Sequence, residues 1–570
     1  MDHILRINLS DLTVKSEPVP AAWAGYGGRA LTSTIVAAEV PATCHPLGPK
    51  NKLVFAPGLL TGTLAANSGR LSLGSKSPLT GTIKESNAGG TAAQMLAKLA
   101  IKALIIEGIP KDGKWRAVYI DKDGARIEEE TATVGMGNYE AIQVLDERLD
   151  KKAGLIVLGP AGEMKMLTSN ISVKDPESHI RSLGRGGLGA VMGSKKLKFI
   201  AIDPTGISSI PIAEPENFRA ANKAFVEILR GHPVTSFVLA NFGTDVLLNM
   251  MNEAGGLPTR NFTSGQYEGH DRISGEALHD TIVKRQGKPS HNCHPGCIIR
   301  CSQVYNDEQG KYLTSGIEYE TIGMLGANAT VGNLDQIAEA DHIMDDLGID
   351  SIETGVMFAV AMEAGVLPWG DGAEVLRILR DEIGKGTPMG RLLGAGTAAV
   401  GKAYGLTRVP VVKNQALSCY DPRTLKGIGI TYATSPMGAD HTAGNVAVDG
   451  HTDPQKKDGQ IEASRNLQIA VASVDSLGMC VFTAGLTVDN PDCLTAMVNM
   501  INARYGVRLD NNDYANLGKY VLKTEHQFNL DAGFTNKDDR LPEFLELEPL
   551  PPHNLVWDFI PEEIDTFWDF

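Results

Sequence analysis

The feature that most constrains this chain is a short turn that occurs twice, each time after a long helical pattern. The motif Asp-x-x-Gly spans residues 345–348 and again 475–478, and a 3.6-residue apolar repeat precedes each copy. Because Asn favours a helix N-cap and Gly ends a helix, we predict helices from Asn333 to about Leu347 and from about 460 to 477. One such turn is an ordinary helix end. Two copies predict that two parts of the fold present a carboxylate to one shared assembly.

Four of the seven cysteines are placed to form one thiolate site. Cys293, Cys297 and Cys301 lie close together, and Cys480 follows the second Asp-x-x-Gly turn. Thiolates are soft ligands that suit an iron–sulfur cluster or zinc. A Pro-Gly pair in the first gap would let the chain wrap around a metal, and Cys297 and Cys301 are expected one turn apart on a helix face. Zinc sites usually have two-residue gaps between paired cysteines. The three-residue gaps here favour the cluster and leave a structural zinc as the alternative.

Composition excludes several classes of protein. A chain of 570 residues is too long for one core, so about two to four domains are expected. The net charge of −15 argues against a nucleic-acid surface, because phosphate binding needs clustered Lys and Arg. There is no apolar run of about 18 residues, so we predict no membrane span. The N-terminus shows no basic stretch followed by an apolar one and no twin-arginine signal, so we predict no export.

The pattern along the chain predicts an α+β protein of three parts. Turn signals and short apolar runs predict a β-rich domain over residues 1–208. Longer 3.6-residue repeats predict a helical domain with the clustered cysteines over 209–412 and a second helical domain with the second turn over 413–570. The proline-rich tail is expected to lie on the surface as an extended strap. The predicted strands lie at Ile4–Leu9, Leu53–Ala56, Ala103–Ile106, Trp115–Ile120, Leu155–Leu158 and Phe199–Ile202.

A glycine-rich segment, Gly184-Arg-Gly-Gly-Leu-Gly189, literally matches the dinucleotide-binding fingerprint. No strand is predicted directly before it, and a short basic stretch follows it, so we reject a Rossmann fold. The glycines would still let the backbone approach a phosphate, and Arg185 could pair with that phosphate bidentately.

Glu339 and His342 stand three residues apart on a predicted helix. They therefore share a helix face and could bind one metal ion. Two ligands are too few within one chain, whereas a symmetric dimer would supply four. A solvated helix face is the alternative interpretation.

Taken in order, these residues resemble the aldehyde ferredoxin oxidoreductase family of bis-pterin tungsten enzymes. The resemblance covers nearly the whole chain, and the ordered set is specific although most single members are not. It includes Gly27–Arg29, Asn51–Thr63, Ser68–Arg70, Lys76–Gly81, Arg185–Lys198, Glu318–Glu320, Ala532–Thr535, Asp538–Glu543 and Glu548–Pro552. The family usually has gaps of two and then three residues between its clustered cysteines, and this chain has three and three.

The resemblance implies a β-rich N-terminal domain that carries a bis-pterin cofactor of tungsten or molybdenum. It implies one [4Fe–4S] cluster on Cys293, Cys297, Cys301 and Cys480. Asp345 and Asp475, with Asp350 nearby, would anchor the two pterins. Met479, a further cofactor contact, stands directly after the second turn, where Leu is usual. A Mg²⁺ ion would bridge the cofactor phosphates through backbone carbonyls near Asn87 and Gly186. The remaining cofactor contacts would be Arg70, Asn87, Gly89, Arg185 and Gly187.

The resemblance also implies an activity, which is oxidation of an aldehyde to a carboxylic acid with water. Glu320 and His441 would be the acid/base residues, with Tyr319 beside them. Electrons would leave through the cluster to ferredoxin or to a partner iron–sulfur subunit, and the chain would be a homodimer or part of a larger complex. Glu339 and His342 match a dimer-bridging iron motif. The alternatives are another substrate, such as an aromatic acyl-CoA that is reduced, or a non-catalytic, zinc-stabilised binding protein.

Overall fold

The structure is a computed structural model that describes residues 2–207, 209–446 and 452–570. Its N-terminal part is built on two six-stranded sheets. The first sheet has the order β2-β1-β6-β3-β4-β5 and contains β1 His3–Asn8, β2 Thr13–Pro18, β3 Leu53–Pro57, β4 Leu71–Lys76, β5 Ile83–Ala88 and β6 Ile101–Glu107. The second has the order β8-β7-β12-β9-β10-β11 and contains β7 Arg116–Asp121, β8 Gly124–Glu129, β9 Gly154–Val157, β10 Ile171–Lys174, β11 Ile180–Leu183 and β12 Leu197–Ile202. All six predicted strands are confirmed.

The two sheets have the same topology. In each sheet the first strand pairs in parallel with the last strand (β1 with β6, β7 with β12), and every other neighbouring pair is antiparallel. The sheets share an apolar core, and β5 of one lies against β11 of the other. The N-terminal part is therefore a structural duplication, and five helices complete it: α1 Gly28–Glu39, α2 Ala92–Lys98, α3 Asn138–Arg148, α4 Pro160–Glu163 and α5 Leu188–Ser194.

The rest of the chain is mostly helical, which confirms the predicted fold class. Between residues 209 and 403, all of which the structure describes, its α-helices are α6 Pro215–Gly231, α7 Leu239–Phe242, α8 Leu247–Glu253, α9 Gly275–Lys284, α10 Tyr319–Thr321, α11 Leu334–Leu347, α12 Ser351–Glu363, α13 Gly372–Arg377, α14 Pro388–Leu393 and α15 Thr397–Ala403. Small sheets are formed by β13 Lys288–His291, β14 Ser302–Asn306 and β15 Tyr312–Ser315, and by β16 Val411–Val412 and β17 Gln415–Ala416. The last helices are α16 Lys426–Thr434, α17 Gln460–Leu477, α18 Ala484–Asp489, α19 Pro491–Tyr505, α20 Asn511–Asp531, α21 Phe544–Leu547 and α22 Pro561–Asp565.

The two helices predicted from the repeated turn are confirmed as α11 and α17. The Asn333 side chain caps α11 by accepting hydrogen bonds from two backbone N–H groups. Gly348 and Gly478 end the two helices at φ +73° and +75°, a left-handed backbone that glycine adopts without strain.

Packing crosses the predicted divisions of the chain. The largest apolar core joins α10–α12 to residues 412–439 and to the tail, where Phe544, Trp557 and Phe567 are buried. The tail is thus packed into the core and is not an extended strap. Helix α6 packs on α19 of the C-terminal part. The predicted domain boundaries after residues 208 and 412 stay predictions, and residue 208 itself lies outside the described residues.

One helical stretch, Val234–Glu253, is long and apolar enough to cross a membrane by length and composition alone, with a mean hydropathy of 1.2. Gly243, at φ +62°, interrupts it. Core helices of soluble proteins meet the same criterion, so the absence of a membrane span stays a prediction.

Candidate active site

The four cysteines meet where two segments of the chain converge. Cys293, Cys297 and Cys301 lie in the loop between β13 and β14, and Cys480 comes just after α17. The thiols of Cys293 and Cys297 share a hydrogen bond, which lowers the pKa of Cys293 and raises that of Cys297. Burial raises the pKa of Cys480 to about 11, against the charge of Arg70, and the charge of Cys293 adds to this rise. Four converging sulfurs are the donor set that an iron–sulfur cluster requires.

The expected helical turn from Cys297 to Cys301 is wrong. Residues 292–300 form an irregular loop, and Gly296 at φ +83° turns the chain between the first two cysteines. A backbone that wraps in this way points successive cysteines inward without helical spacing.

Asn67 holds the two cysteine segments together, and the sequence analysis did not identify it. Its side-chain Oδ1 accepts from the backbone N of Ile298 at 2.7 Å, and its carbonyl accepts from the backbone N of Cys480 at 2.9 Å. Its backbone is left-handed, at φ 58°. The only signal in the sequence was its position directly before the Ser68–Arg70 motif.

Gly89 is required by close packing against the cysteine loop. A Cβ atom at this position would lie 2.9 Å from the carbonyl oxygen of Cys293 and 3.1 Å from its sulfur. No real side chain tolerates the first distance, so the predicted contact of Gly89 with the cofactor region is one of backbone approach.

The turn at the end of α17 meets the start of α1. Asp475 accepts from Nη1 of Arg29 at 3.3 Å, and Arg29 also pairs with Glu525 at 2.9 Å. Burial and the nearby Glu85 carboxylate raise the pKa of Asp475 to about 8, against the opposing charge of Arg29. The turn is locked to the first sheet, because the backbone N of Arg70 donates to the Gly478 carbonyl at 3.1 Å.

The turn at the end of α11 meets the start of α3 in the equivalent way. The backbone N of Asn170 donates to the Gly348 carbonyl at 2.9 Å, as Arg70 does to Gly478. Asp345, however, faces a tyrosine in place of an arginine, since the Tyr139 hydroxyl lies 3.4 Å from its Oδ2. Burial and the charge of Asp341 raise the pKa of Asp345 well above its usual range.

Arg70 and Asn87 contact each other beside the cysteine site, and their predicted contacts with the cofactor stay predictions. Nε of Arg70 donates to Oδ1 of Asn87 at 2.5 Å and Nη2 donates to its carbonyl oxygen at 3.1 Å. Burial lowers the pKa of Arg70, but the negative charges of Cys293, Cys480 and Asp475 outweigh burial and raise that pKa. Arg70 therefore stands where the cysteine site and the second repeated turn meet.

Arg185 makes its contacts within the protein. Its three nitrogens donate to Oδ2 of Asp350 at 3.0 Å and to the carbonyls of Ala439 and Ala416, each at 2.8 Å. Asp350 is also occupied, because its Oδ1 caps α12. Both residues thus tie the N-terminal part to the helical part, and their predicted contacts with cofactor phosphate or pterin stay predictions.

The glycine-rich loop follows a strand, which corrects the expectation that none precedes it. Strand β11 ends at Leu183, and α5 begins at Leu188 after Gly186 (φ +91°) and Gly187 (φ +72°). The fold is still not a Rossmann unit, because β11 lies at the edge of an antiparallel run and the strand after α5, β12, sits three places away. Met479, the residue after the second turn, is fully buried in an apolar cluster.

Glu320, Tyr319 and His441 come together in the helical part. Glu320 Oε2 accepts from the backbone N of Cys419 at 2.8 Å, and the Tyr319 hydroxyl donates to the Cys419 carbonyl at 2.5 Å. Within the described ranges Glu320 Oε1 makes no hydrogen bond, and it faces Nε2 of His441 at 3.4 Å. Burial raises the pKa of Glu320 to about 8 and lowers that of His441 to about 4.

Ser418 is a further member of this site that the sequence did not reveal. Its hydroxyl lies 3.0 Å from Nδ1 of His441. The nearby Tyr432 hydroxyl donates to the carbonyl of Tyr420 at 3.3 Å. A Ser418 proton given to Nδ1 leaves the His441 proton on Nε2, the nitrogen that faces Glu320. The buried, unpaired oxygen of Glu320 and this N–H group together suit a polar ligand that both gains and loses protons.

Glu339 and His342 lie on α11 but engage different partners. Glu339 pairs with Arg380, and His342 stacks on Tyr139 with ring centroids 4.5 Å apart. A metal ion shared between two copies of the chain would compete with the Arg380 pair, and this iron site stays a prediction.

Comparisons with known proteins match one family over nearly the whole chain. The model of the aldehyde ferredoxin oxidoreductase N-terminal domain matches residues 4–204, and that of domains 2 and 3 matches residues 220–564. The tungsten-containing aldehyde ferredoxin oxidoreductases of Pyrococcus furiosus and Thermococcus kodakarensis are each 34% identical, over 96% of this chain and 92% of their own. The WOR-like subunit of an aliphatic sulfonate oxidoreductase from P. furiosus is 27% identical over 73% of this chain and 70% of its own.

A solved structure shares the fold. The active site complex BamBC of benzoyl coenzyme A reductase, in complex with 1,5-dienoyl-CoA, superposes with a TM-score of 0.82 at 20% identity, over 99% of this chain and 93% of that one. Together with the duplicated turns and the converging cysteines, these matches show that the chain is an oxidoreductase that belongs to the aldehyde ferredoxin oxidoreductase family.

Proposed function

We propose that this chain oxidises aldehydes to carboxylic acids with water at a tungsten bis-pterin centre. The relatives at 34% identity are tungsten-containing aldehyde ferredoxin oxidoreductases, which favours tungsten over molybdenum and an aldehyde over an acyl-CoA. The observation that carries the proposal is the buried Glu320–His441 pair, with Nε2 and Oε1 at 3.4 Å. When bound, the tungsten centre would supply the two-electron oxidation.

Glu320 is suited to act as the general base. It is buried, one of its oxygens is held by the backbone N of Cys419, and the other has no hydrogen-bond partner among the described residues. Burial raises its pKa to about 8, which brings it close to the pH at which a base both is ionised and binds a proton well. Glu320 would take the proton of the attacking water.

His441 would stabilise the oxygen that gains charge. Burial lowers its pKa to about 4, so the ring is neutral at neutral pH and donates through one nitrogen only. A hydrogen bond donated by the Ser418 hydroxyl to Nδ1, 3.0 Å away, would place that proton on Nε2. A neutral hydrogen-bond donor fixed in a buried site stabilises developing negative charge without reorganisation.

The cofactors and the electron route complete the proposal. Cys293, Cys297, Cys301 and Cys480 would hold the [4Fe–4S] cluster, and Asp345 and Asp475 would anchor the pterins. A Mg²⁺ ion would be held by backbone carbonyls near Asn87 and Gly186, in two segments that the Ser86 hydroxyl joins by donating to the Arg185 carbonyl at 2.8 Å. With a single cluster, the enzyme would pass its electrons to an external acceptor, either a ferredoxin or an iron–sulfur subunit. We propose that it is a cytoplasmic enzyme that works as a homodimer or in a larger complex.

The test uses protein produced anaerobically with tungsten and assayed by aldehyde-dependent reduction of a viologen dye. Glu320→Gln is expected to lose about 10²–10⁴-fold in turnover while tungsten and iron stay at wild-type content. Glu462→Gln, an exposed position in the first turn of α17, is the control. Wild-type turnover in fully loaded Glu320→Gln would remove the base, and a tungsten-loaded wild type that oxidises no aldehyde would overturn the function.

A further inference from the structure

Two histidines and an aspartate converge outside the site described above. Asp175 and His179 belong to the hairpin loop between β10 and β11, and His291 is the last residue of β13. The Asp175 and His291 side chains are almost fully buried, and His179 is 14% exposed. The facing ligand atoms are Oδ2 of Asp175, Nδ1 of His179 and Nε2 of His291.

The spacing of these atoms fits one face of a metal coordination tetrahedron. His291 Nε2 lies 2.9 Å from Asp175 Oδ2, His179 Nδ1 lies 3.4 Å from His291 Nε2, and His179 Nδ1 lies 3.6 Å from Asp175 Oδ2. Bonds of about 2.0–2.1 Å to zinc place tetrahedral ligands about 3.3 Å apart. The three separations bracket that value.

The carboxylate is held in position from its other side. Asp175 Oδ1 accepts from the backbone N of Glu177 at 2.8 Å and of His179 at 2.9 Å. Arg181 donates to Oδ2 from Nη2 at 3.0 Å and from Nε at 3.2 Å, and a carboxylate oxygen can still accept a further partner. Burial raises the pKa of Asp175, but the contacts with His179, His291 and Arg181 outweigh it and keep the group ionised.

The His291 ring is oriented as metal-bound imidazoles usually are. The Nδ1 atom of His291, away from the cluster, faces Glu177 Oε1 at 3.6 Å. Metal-ligating histidines commonly direct their second nitrogen to a carboxylate, which fixes the tautomer and the ring. The His179 ring stacks on Tyr312 with centroids 4.9 Å apart and planes 3° apart.

We propose that Asp175, His179 and His291 bind one divalent cation of the zinc class, with water as the fourth ligand. His291 stands at the base of the cysteine loop, two residues before Cys293, and pairs with Ser302 at the other end of that loop. The ion would therefore fasten the β10–β11 hairpin to both ends of the loop. The proposal is independent of the aldehyde-oxidising function, because it uses none of the residues assigned to it.

The first test is metal content. Anaerobically purified wild-type holoenzyme is expected to hold about one zinc per chain after dialysis against a weak chelator. His179→Gln and His291→Gln should each lose most of it and keep wild-type iron. His270→Gln, whose ring contacts Asn249 on the surface, should keep all of it. The His179→Gln variant stays informative even if His291→Gln misfolds, because His179 lies outside the cysteine loop.

The second test is the zinc K-edge X-ray absorption of the same holoenzyme. Because the signal is specific to zinc, iron and tungsten do not interfere. The proposal predicts only nitrogen and oxygen neighbours near 2.0–2.1 Å, including two imidazoles. A zinc content below about 0.2 per chain after loading with ZnCl₂, equal zinc in wild type and His179→Gln, or sulfur neighbours near 2.3 Å would overturn it.

Discussion

The two repeated turns have the same backbone but different side-chain surroundings. Each ends its helix with a left-handed glycine, and each packs on a glycine of the opposing sheet, Gly58 against Gly478 and Gly159 against Gly348. A Cβ atom on Gly58 would lie 1.9 Å from the backbone N of Gly478, so the close contact requires glycine. The backbone frame is therefore fixed by geometry, and the side chains around it are free to diverge.

The divergence is largest at the carboxylates and just beyond them. Asp475 accepts a hydrogen bond from the buried cation Arg29, whereas Asp345 lies 3.4 Å from the uncharged Tyr139 hydroxyl. Five positions after each carboxylate stand Cys480 in one copy and Asp350 in the other. Cys480 joins the thiolate site, and Asp350 joins Arg185 and caps a helix. One half of the duplicated frame therefore supplies a thiol to the cysteine site, and the other attaches the helical part to the N-terminal part.

The largest expected effect separates Cys480 from its counterpart Asp350. Cys480→Ser removes one of four thiolates, so we expect iron well below about four per chain and no dye reduction. Asp350→Asn keeps a helix-capping side chain and touches no thiolate, so iron should stay unchanged while stability falls by about 1–3 kcal/mol. Iron quantification and denaturant unfolding measure both. Equal iron loss in the two variants would mean that the halves are not specialised in this way.

The next effect compares Arg29 with Tyr139. Arg29→Met leaves Asp475 and Glu525 buried without their cation, which should destabilise the fold by about 3–5 kcal/mol. Tyr139→Phe removes one long hydrogen bond and should cost no more than about 1.5 kcal/mol. Chemical unfolding of both variants gives the two values. A Tyr139→Phe variant as damaged as Arg29→Met would show that the two carboxylates are held equally.

The two helical regions also supply the two unlike residues of the proposed acid/base pair, and pH separates their effects. Glu320 must be ionised to accept a proton, so kcat/KM should rise with pH and level off above the Glu320 pKa of about 8. His441, with its pKa lowered to about 4, stays neutral over that range and should add no second limb. A pH profile of the tungsten-loaded enzyme measures this. An acid limb near the ordinary glutamate value of about 4.3 would contradict the buried environment.

The smallest effect concerns Ser418. Ser418→Ala removes the hydroxyl at Nδ1 of His441, so the ring is no longer held in one tautomer. We expect kcat to fall by about 10-fold, equal to about 1.4 kcal/mol, with KM little changed. Ser418→Thr, which keeps the hydroxyl, is the control. If alanine and threonine behave alike, the hydroxyl does not position His441.

Local features of the sequence predicted the secondary structure well, but the sequence did not predict contacts between residues that lie far apart along the chain. The ends of α11 and α17 followed from single capping residues, because a glycine or asparagine acts on its own turn. Strand β11 was missed because Ile180-Arg-Ser-Leu183 is short and has no clear alternation. Arg29, Asn67 and Ser418 find their partners far along the chain, and no local pattern announces such a contact.

The candidate site shows the same limit. The resemblance named Glu320 and His441 by their motifs, and the structure brings the two side chains within 3.4 Å. Arg185 was named by the same route, but its three nitrogens contact Asp350 and two backbone carbonyls. A motif identifies the residue type at a position, whereas its partner depends on how distant elements pack.

We propose that the duplicated turns and the four cysteines hold a tungsten bis-pterin centre beside one cluster. The most direct measurement is tungsten, iron and pterin content of anaerobically purified protein. The account predicts about one tungsten, about four iron and about two pterins per chain. A protein with neither tungsten nor pterin, whose cysteines bind only zinc, would contradict it.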